Sequence, residues 1–305
     1  MLNVPMKYVV TIVMIPFMVI IKGRAQSFEP LTIRYQSISS THVASADREA
    51  FEDQDRKYLN WVDVNVRYPL WLKNGGLILP EYNYKAFGQS FEQWPQVETE
   101  PLTAQLHRLS FKGVFPLNRK WNLLGIGVMS QGLNDGVGFN IDNNFYRFGV
   151  GFLINKDSVN LIGASVVFVS EVGLPIPVFI YKGASKSGKW LFNLEAPQLS
   201  IAEYNLVRND TRIRFEQRLD NDRISFSGNV EDTADSYNYT HLNVSMGISQ
   251  RLFGPVYANG SVGISPLNVL SLYDLDNEVI ETIRFDIRPT FSFSLYVSVN
   301  PNDRK

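Results

Sequence analysis

The chain has no cysteine and only three histidines among its 305 residues. The first absence excludes disulfide frameworks, thiolate nucleophiles and cysteine-ligated metals. The second leaves little material for zinc, haem or triad chemistry. An excess of charge of one sign is missing too, since 29 basic side chains stand against 30 acidic ones, a formal net charge of −1. Nucleic-acid binders usually carry a basic excess, so no polyanion partner is expected. The charged fraction of 19% lies below the ~25% of an ordinary soluble domain. Mean hydropathy is −0.10, too polar for a bundle of membrane helices. What is abundant is aromatic: 20 Phe and 14 Tyr. This composition points to one β-rich domain with little chemistry and no bound cofactor.

Only one long apolar run exists, residues 8–21 (YVVTIVMIPFMVII), between Lys7 and Lys22-Gly23-Arg24-Ala25-Gln26. A membrane helix needs about 20 apolar residues, whereas signal-peptide cores run ~7–15. Gly23 and Ala25 supply small residues for cleavage after Ala25. Residues 1–25 are therefore expected to be a signal peptide, and 26–305 a single exported domain. The competing reading is a buried helix or retained anchor. An exported chain of this size without cysteine points to a bacterium.

Downstream, residues alternate with period 2 and helical periodicity is almost missing. Val62 to Tyr68, Tyr146 to Phe152 and Leu242 to Ile248 alternate without error. From Ile283 to Val299, one row holds Ile283, Phe285, Ile287, Phe291, Phe293, Leu295 and Val297. The other holds Arg284, Asp286, Arg288, Thr290, Ser292, Ser294 and Ser298. Turn residues mark tight connections at 73–76, 118–120, 155–158, 185–188, 220–222 and 253–255. Longer polar stretches lie near 38–57, 88–104, 131–142, 195–210, 230–238 and 265–281, with one short member near 171–173. Short turns alternating with long loops are the mark of an up-and-down barrel of the outer membrane. Counting between connections gives thirteen strands from 58 to 298, and the alternating segment Leu31 to Gln36 supplies a fourteenth. The expected fold is thus a transmembrane antiparallel β-barrel of about fourteen strands, with twelve as the alternative. A soluble β-sandwich is the structural competitor, but it does not require two classes of connection. The expected location is the outer membrane of a Gram-negative bacterium, with outer-membrane lipid as partner.

Trp71, Trp121 and Trp190 each sit beside a proposed tight turn and form a candidate aromatic belt. Two stretches, RYPLWLKNGGLILPEYNY (67–84) and PIPVFIYKGASKSGKWLFNLEAP (175–197), resemble a family of bacterial outer-membrane β-barrel proteins of unknown function. The resemblance covers most of the exported chain. It implies location and fold and brings no catalytic or binding residues with it. Many outer-membrane barrels finish on an aromatic residue, whereas this chain continues past Val299 with Asn300-Pro301-Asn302-Asp303-Arg304-Lys305.

The chemistry candidates are few. Gly183-Ala184-Ser185-Lys186-Ser187-Gly188-Lys189 matches most of a phosphate loop, but Trp190 replaces the magnesium-binding hydroxyl and a strand follows. It reads as a basic hairpin turn. His241 shares the inward parity of Asn243 and Ser245 and is the best base for a lipid-modifying enzyme, the least favoured activity. His107 is expected on the lipid face or rim, and His42 in a polar loop.

The polar row carries more information. Large apolar residues set the outward face, which places Arg67, Lys85, Arg108, Lys112, Arg147, Arg212, Arg214, Arg251, Arg284 and Arg288 inside. The inward acids on the same parity are Asp63, Glu81, Glu216 and Asp286. Such a lumen would favour anions. Alternatively, acids such as Glu49, Glu52, Asp53 and Asp55 in the charged segment 41–57 fold in and neutralise it. The expected function is non-enzymatic passage or binding of small solutes. The alternative is a structural or surface-interaction protein with a plugged barrel.

Overall fold

The computed structural model describes residues 28–39, 41–46, 55–73, 75–91, 102–134, 144–157, 160–170, 175–207, 210–225, 236–274 and 278–299. The expected signal peptide, the tail from Asn300 and the loop acids Glu49, Glu52 and Asp53 lie outside them. Among the described residues no helix is long and apolar enough to cross a membrane.

Among the described residues seventeen strand segments follow one another. They are β1 (Phe28–Ile38), β2 (Thr41–Ala46), β3 (Asp55–Arg67), β4 (Leu70–Trp71), β5 (Leu77–Phe91) and β6 (Leu102–Pro116). Next come β7 (Trp121–Asn134), β8 (Phe145–Asn155), β9 (Leu161–Val169), β10 (Pro175–Ala184), β11 (Trp190–Ala196) and β12 (Leu199–Val207). The last are β13 (Thr211–Ser225), β14 (Ser236–Phe253), β15 (Val256–Tyr273), β16 (Val279–Phe285) and β17 (Arg288–Val299). Three pairs, β1 with β2, β3 with β4 and β16 with β17, are single crossings interrupted once, so the wall has fourteen. Sequential crossings pair antiparallel, and β1 closes the ring by pairing with both β17 and β3. The result is a closed antiparallel barrel of the outer-membrane type, with the strand number expected from the sequence.

Closure follows from the alternation. Each strand presents one row to either side, and the outward row is the apolar one. Phe148, Phe152, Phe168, Phe179, Met246, Ile248, Phe291 and Phe293 are exposed, the last two at 55% and 51%. Arg212, Glu203, Asn243, Ser249 and Thr290 are buried inside. A soluble domain has the reverse arrangement. Connections at one rim, 72–76, 117–120, 156–160, 185–189, 208–210 and 254–255, span two to five residues. Those at the other rim reach ten. Gly183 to Lys189, the phosphate-loop look-alike, is the β10–β11 turn: Gly188 takes a φ of 68° and its N–H donates to the Ser185 carbonyl.

Four expectations need correction. Residues 195–210 are not a long polar loop, because they contain β12. Its outward row includes the small Ser200 and Ala202 while Glu203 points inward, so no large apolar row announced it. Asp220-Asn221-Asp222 is not a turn but the middle of β13, where its carboxylates are held by cations from other strands. The two errors cancel in the strand count. Residues 38–57, expected as one loop, contribute β2 and the start of β3.

The fourth correction concerns the last crossing. Ile283 and Phe285 are buried inside and Arg284 is exposed on the outer face, whereas Phe291 and Phe293 face outward and Thr290 and Ser294 inward. Alternation resets at Asp286 and Ile287, between β16 and β17. β15 resets beside it: Ser265 and Asn268 are both buried with Pro266 and Leu267 exposed between them, and its register against β14 shifts between Leu242 and Val244. A skipped residue moves every later side chain to the other face. Pro266 and Pro289 were the available signals, since proline cannot donate to the ladder.

Inside the ring lie two apolar clusters. One joins Ile38, Leu59, Trp61, Phe87, Leu106, Ile224, Tyr239, Leu270, Ile283 and Phe285 toward the long-loop end. The other joins Leu124, Leu153, Val167, Val178 and Ile180 on the inner face of β7–β10.

Candidate functional site

The lumen is organised by β13. Its inward row Arg212, Arg214, Glu216, Arg218, Asp220 and Asp222 alternates every second residue along one strand, as the pleat requires. Near the short-turn end, Arg212 Nη1 donates to Glu203 Oε2 at 3.1 Å and its Nη2 to the Tyr257 hydroxyl oxygen at 3.2 Å. Arg214 Nη1 reaches both Glu203 Oε1 at 3.1 Å and Glu29 Oε1 at 3.0 Å, and its Nε reaches Glu216 Oε2 at 3.1 Å. Glu216 also accepts from Arg34 at 2.7 Å and from Arg218 at 3.1 Å.

Higher up, Lys85 Nζ lies 2.5 Å from Asp222 and 3.4 Å from Asp220, above the rings of Trp61 and Phe87 at 4.8 and 4.7 Å. Arg108 Nη2 donates to the other Asp222 oxygen at 2.8 Å, and Arg147 Nη2 donates to the Asn221 carbonyl at 3.0 Å. Asp63 accepts from Asn83 and lies 4.0 Å from Arg218.

These contacts span the barrel. β13 and β6 are seven crossings apart whichever way round the ring is followed, yet Asp222 and Arg108 touch. An eight-stranded barrel is just filled by its side chains, whereas sixteen to eighteen strands leave a water channel. A circular fourteen-stranded ring would keep opposite walls apart, so this one is pinched. The pinch reaches the backbone. Ser225 of β13 bridges Leu133 of β7, and a Cβ on Gly132 would collide with the Arg223 carbonyl oxygen. Glycine is required there because two main chains meet.

Two further groups lie toward the short-turn end. Arg67 Nε donates to Glu81 at 2.9 Å, with Asn65 donating to the same carboxylate at 2.6 Å. Glu195 accepts from Lys112 at 2.9 Å and pairs with Lys182 at 2.7 Å. These cations keep access to solvent: the side chains of Arg67, Lys112 and Lys182 are 28%, 30% and 35% exposed. The lumen is thus filled across its middle and reached by water toward the short turns.

Arg67, Lys85, Arg108, Lys112, Arg147, Arg212 and Arg214 project inward, each against an acceptor. Arg251 sits at the short-turn rim, 3.3 Å from Asp210. Arg288 is half-buried at the β16–β17 break and Arg284 is outside the lumen. The inward excess of cations is smaller than the parity count implied. Glu29, Glu195, Glu203, Asp220 and Asp222 are inside as well, and Asp286 is outside. Among the described residues the neutralising acids come from strands, and the side chains of segment 41–57 lie outside the described ones. Glu195 and Glu203 were missed because 195–210 was expected as a loop, whereas Glu195 lies at the end of β11 and Glu203 in β12. Arg34 projects inward as well, as its alternation with the exposed Ile33 and Tyr35 implies, and pairs with Glu216.

Trp71 and Trp121 are exposed next to short turns, and Trp190 stacks on Phe192 with ring centroids 6.0 Å apart. His107 lies on the outer wall, where its Nδ1 is 2.8 Å from the Tyr82 hydroxyl. His241 is fully buried, with ring centroids 4.8 Å from Trp61 and 5.3 Å from Tyr239 and its Nε2 3.6 Å from Asp220. Among the described residues neither ring nitrogen has a hydrogen-bond partner. Among the described residues no three His, Asp or Glu side chains gather as a metal site.

No family model matches the chain. No curated protein matches it. Solved structures do match along nearly the whole chain. The P. putida toluene transporter TodX is 6% identical over 90% of either chain, with a TM-score of 0.41. The KdgM porin is 10% identical over 88% of this chain and 99% of that one, with a TM-score of 0.33. The transport unit of the autotransporter AIDA-I from Escherichia coli is 9% identical over 96% and 97%, with a TM-score of 0.34. At such scores the likeness assigns neither family nor function.

Proposed function

We propose that the chain is an integral outer-membrane protein of a Gram-negative bacterium that works without covalent chemistry. Its lumen is occluded across the middle and hydrated only toward the periplasmic, short-turn side. The observation that carries this reading is the Asp222–Arg108 contact between walls seven crossings apart. The exposed apolar row supports the membrane, because lipid is the solvent in which it costs nothing. Aromatic residues mark both edges of that row. Trp121 flanks the short turn and Tyr146 pairs with Met129, eight residues further along β7, which is ~26 Å of strand at ~3.3 Å per residue.

The experiment is a planar-bilayer recording of the purified chain. Wild type is expected to show no steady ohmic current. The double variant Asp220→Asn, Asp222→Asn removes the carboxylates that hold Lys85 and Arg108 to β13 and is expected to conduct. A steady open current in wild type would overturn the occluded reading.

A second reading, binding or passage of small solutes, rests on the half-exposed Arg67, Lys112 and Lys182. Glu81 and Glu195 occupy these cations, and a small anion entering from the short-turn side would compete for them. Liposome swelling with sugars and small anions tests passage. Swelling comparable to protein-free liposomes would leave the structural role.

A further inference from the structure

The β11–β12 hairpin is shorter than its neighbours, and its turn does not reach the rim. Phe179 of β10 pairs with Ala196, and beyond it residues 175–178 pair with β9 alone. Arg218 of β13 pairs with Leu199, and beyond it residues 220–225 pair with β14 while bending across the lumen to β7. Above the Pro197–Gln198 turn the wall therefore has a gap between β10 and β13. An open sheet edge in lipid leaves unpaired backbone groups, each costing several kilocalories per mole. The chain meets this at both sides. Pro175 and Pro177 lie in the unpaired stretch of β10 and have no N–H to leave exposed. The turn's carbonyls are satisfied from β13, Leu219 N–H donating to Gln198 and Gln217 Nε2 to Pro197.

At the foot of this gap a pit of about 700 Å³ opens on the outer wall. Its floor is a register row that alternates large and small: Phe152, Ala164, Phe179 and Ala196 are successive cross-strand partners on β8, β9, β10 and β11. Two phenylalanine rings thus flank Ala164, with Val166 and Pro177 closing the next row. The volume falls in the range of ligand sites, ~300–1,000 Å³.

We propose that this pit is a binding site for one acyl chain of a membrane phospholipid, a proposal that rests on the outer-membrane reading above. Continuity with the exposed apolar row puts hydrocarbon at its mouth. None of its outward-facing residues is charged or carries a hydrogen-bonding side chain, so a free carboxylate would find no partner. A phospholipid leaves its head group in the interfacial layer and inserts only the chain. In lipid the advantage is packing rather than hydrophobic transfer: a chain in a concavity touches wall atoms on several sides, where a flat wall offers one.

The test uses the full chain in phosphatidylethanolamine–phosphatidylglycerol liposomes containing a phospholipid with a diazirine on one acyl chain, followed by peptide mapping of the photo-adducts. Peptides covering 150–179 are expected to be labelled roughly tenfold more than the equally exposed 289–297, the return on about ten extra close carbon contacts. Ala164→Phe should bring the label down to that of 289–297, while Ala258→Phe on the far wall should leave it unchanged. Should Ala164→Phe fail to assemble, the wild-type map decides alone. Uniform labelling of the outward row would overturn the site while leaving the membrane reading intact. Stronger selective labelling by a diazirine hexadecanoic acid than by the phospholipid would overturn the assignment to a phospholipid chain. Loss of label from every strand would overturn the membrane reading, and the proposal with it.

Discussion

Phe291 and Ser292 are adjacent in β17 and meet different surroundings. Phe291 is on the exposed outer row, and the Ser292 hydroxyl bonds that of Ser261 on the inner face of β15. A charge on the lipid face near the bilayer middle costs roughly 2–4 kcal/mol, while an inward polar site tolerates it. Phe291→Arg is therefore expected to lower the folded, heat-modifiable fraction on cold SDS gels, and Ser292→Arg to leave it nearly unchanged. Equal losses would place the register one residue off. Arg284 shows how local such an assignment is. Four residues before Arg288 in the same apparent alternation, it faces outward because the pleat slips between them.

At the scale of an element, β13 decides the interior. Its carboxylates and guanidinium groups meet residues of β1, β5, β6 and β12, and its end crosses to β7. Buried ion pairs of this kind fix a geometry more than they stabilise it. Removing one partner leaves an uncompensated charge at a cost of ~3–5 kcal/mol, whereas replacing both by apolar side chains is often neutral. Lys85→Met alone and Asp222→Leu alone are expected to lower the urea midpoint in detergent micelles. The double variant should lose less than the sum of the two. Additive losses would show that the contact carries no coupling, and the brace would then reside in the apolar cluster around Ile224 and Trp61.

For the whole molecule, the outward apolar row and inward polar row make a particle whose natural solvent is hydrocarbon on its flank. Membrane fractionation is expected to retain the chain in the outer-membrane pellet through carbonate and urea washes. Release as soluble periplasmic protein would end the membrane reading. A bilayer-exposed flank also accounts for the low charged fraction of 19%, since most charged side chains among the described residues lie in the lumen or at the rims.

Period-2 alternation and turn chemistry are local, and they were enough to give the fold class and the lipid row of β17, because lipid selects large apolar side chains at every second position. The strand number came out right because the missed β12 and the false turn at 220–222 offset each other. The local signals did not give β12, where the small Ser200 and Ala202 break the outward apolar row, or the parity of Ile283 and Phe285, where a slip between two prolines reverses the faces. The residues of the interior were mostly legible as an inward row. Their pairing was not, because Asp222 and Arg108 are 114 positions apart and meet only when the ring is pinched. Whether a row of cations lines an open channel or locks a closed one depends on the distance between opposite walls. That distance is set by how far β13 bends toward β7, a property of the assembled barrel that no single strand encodes.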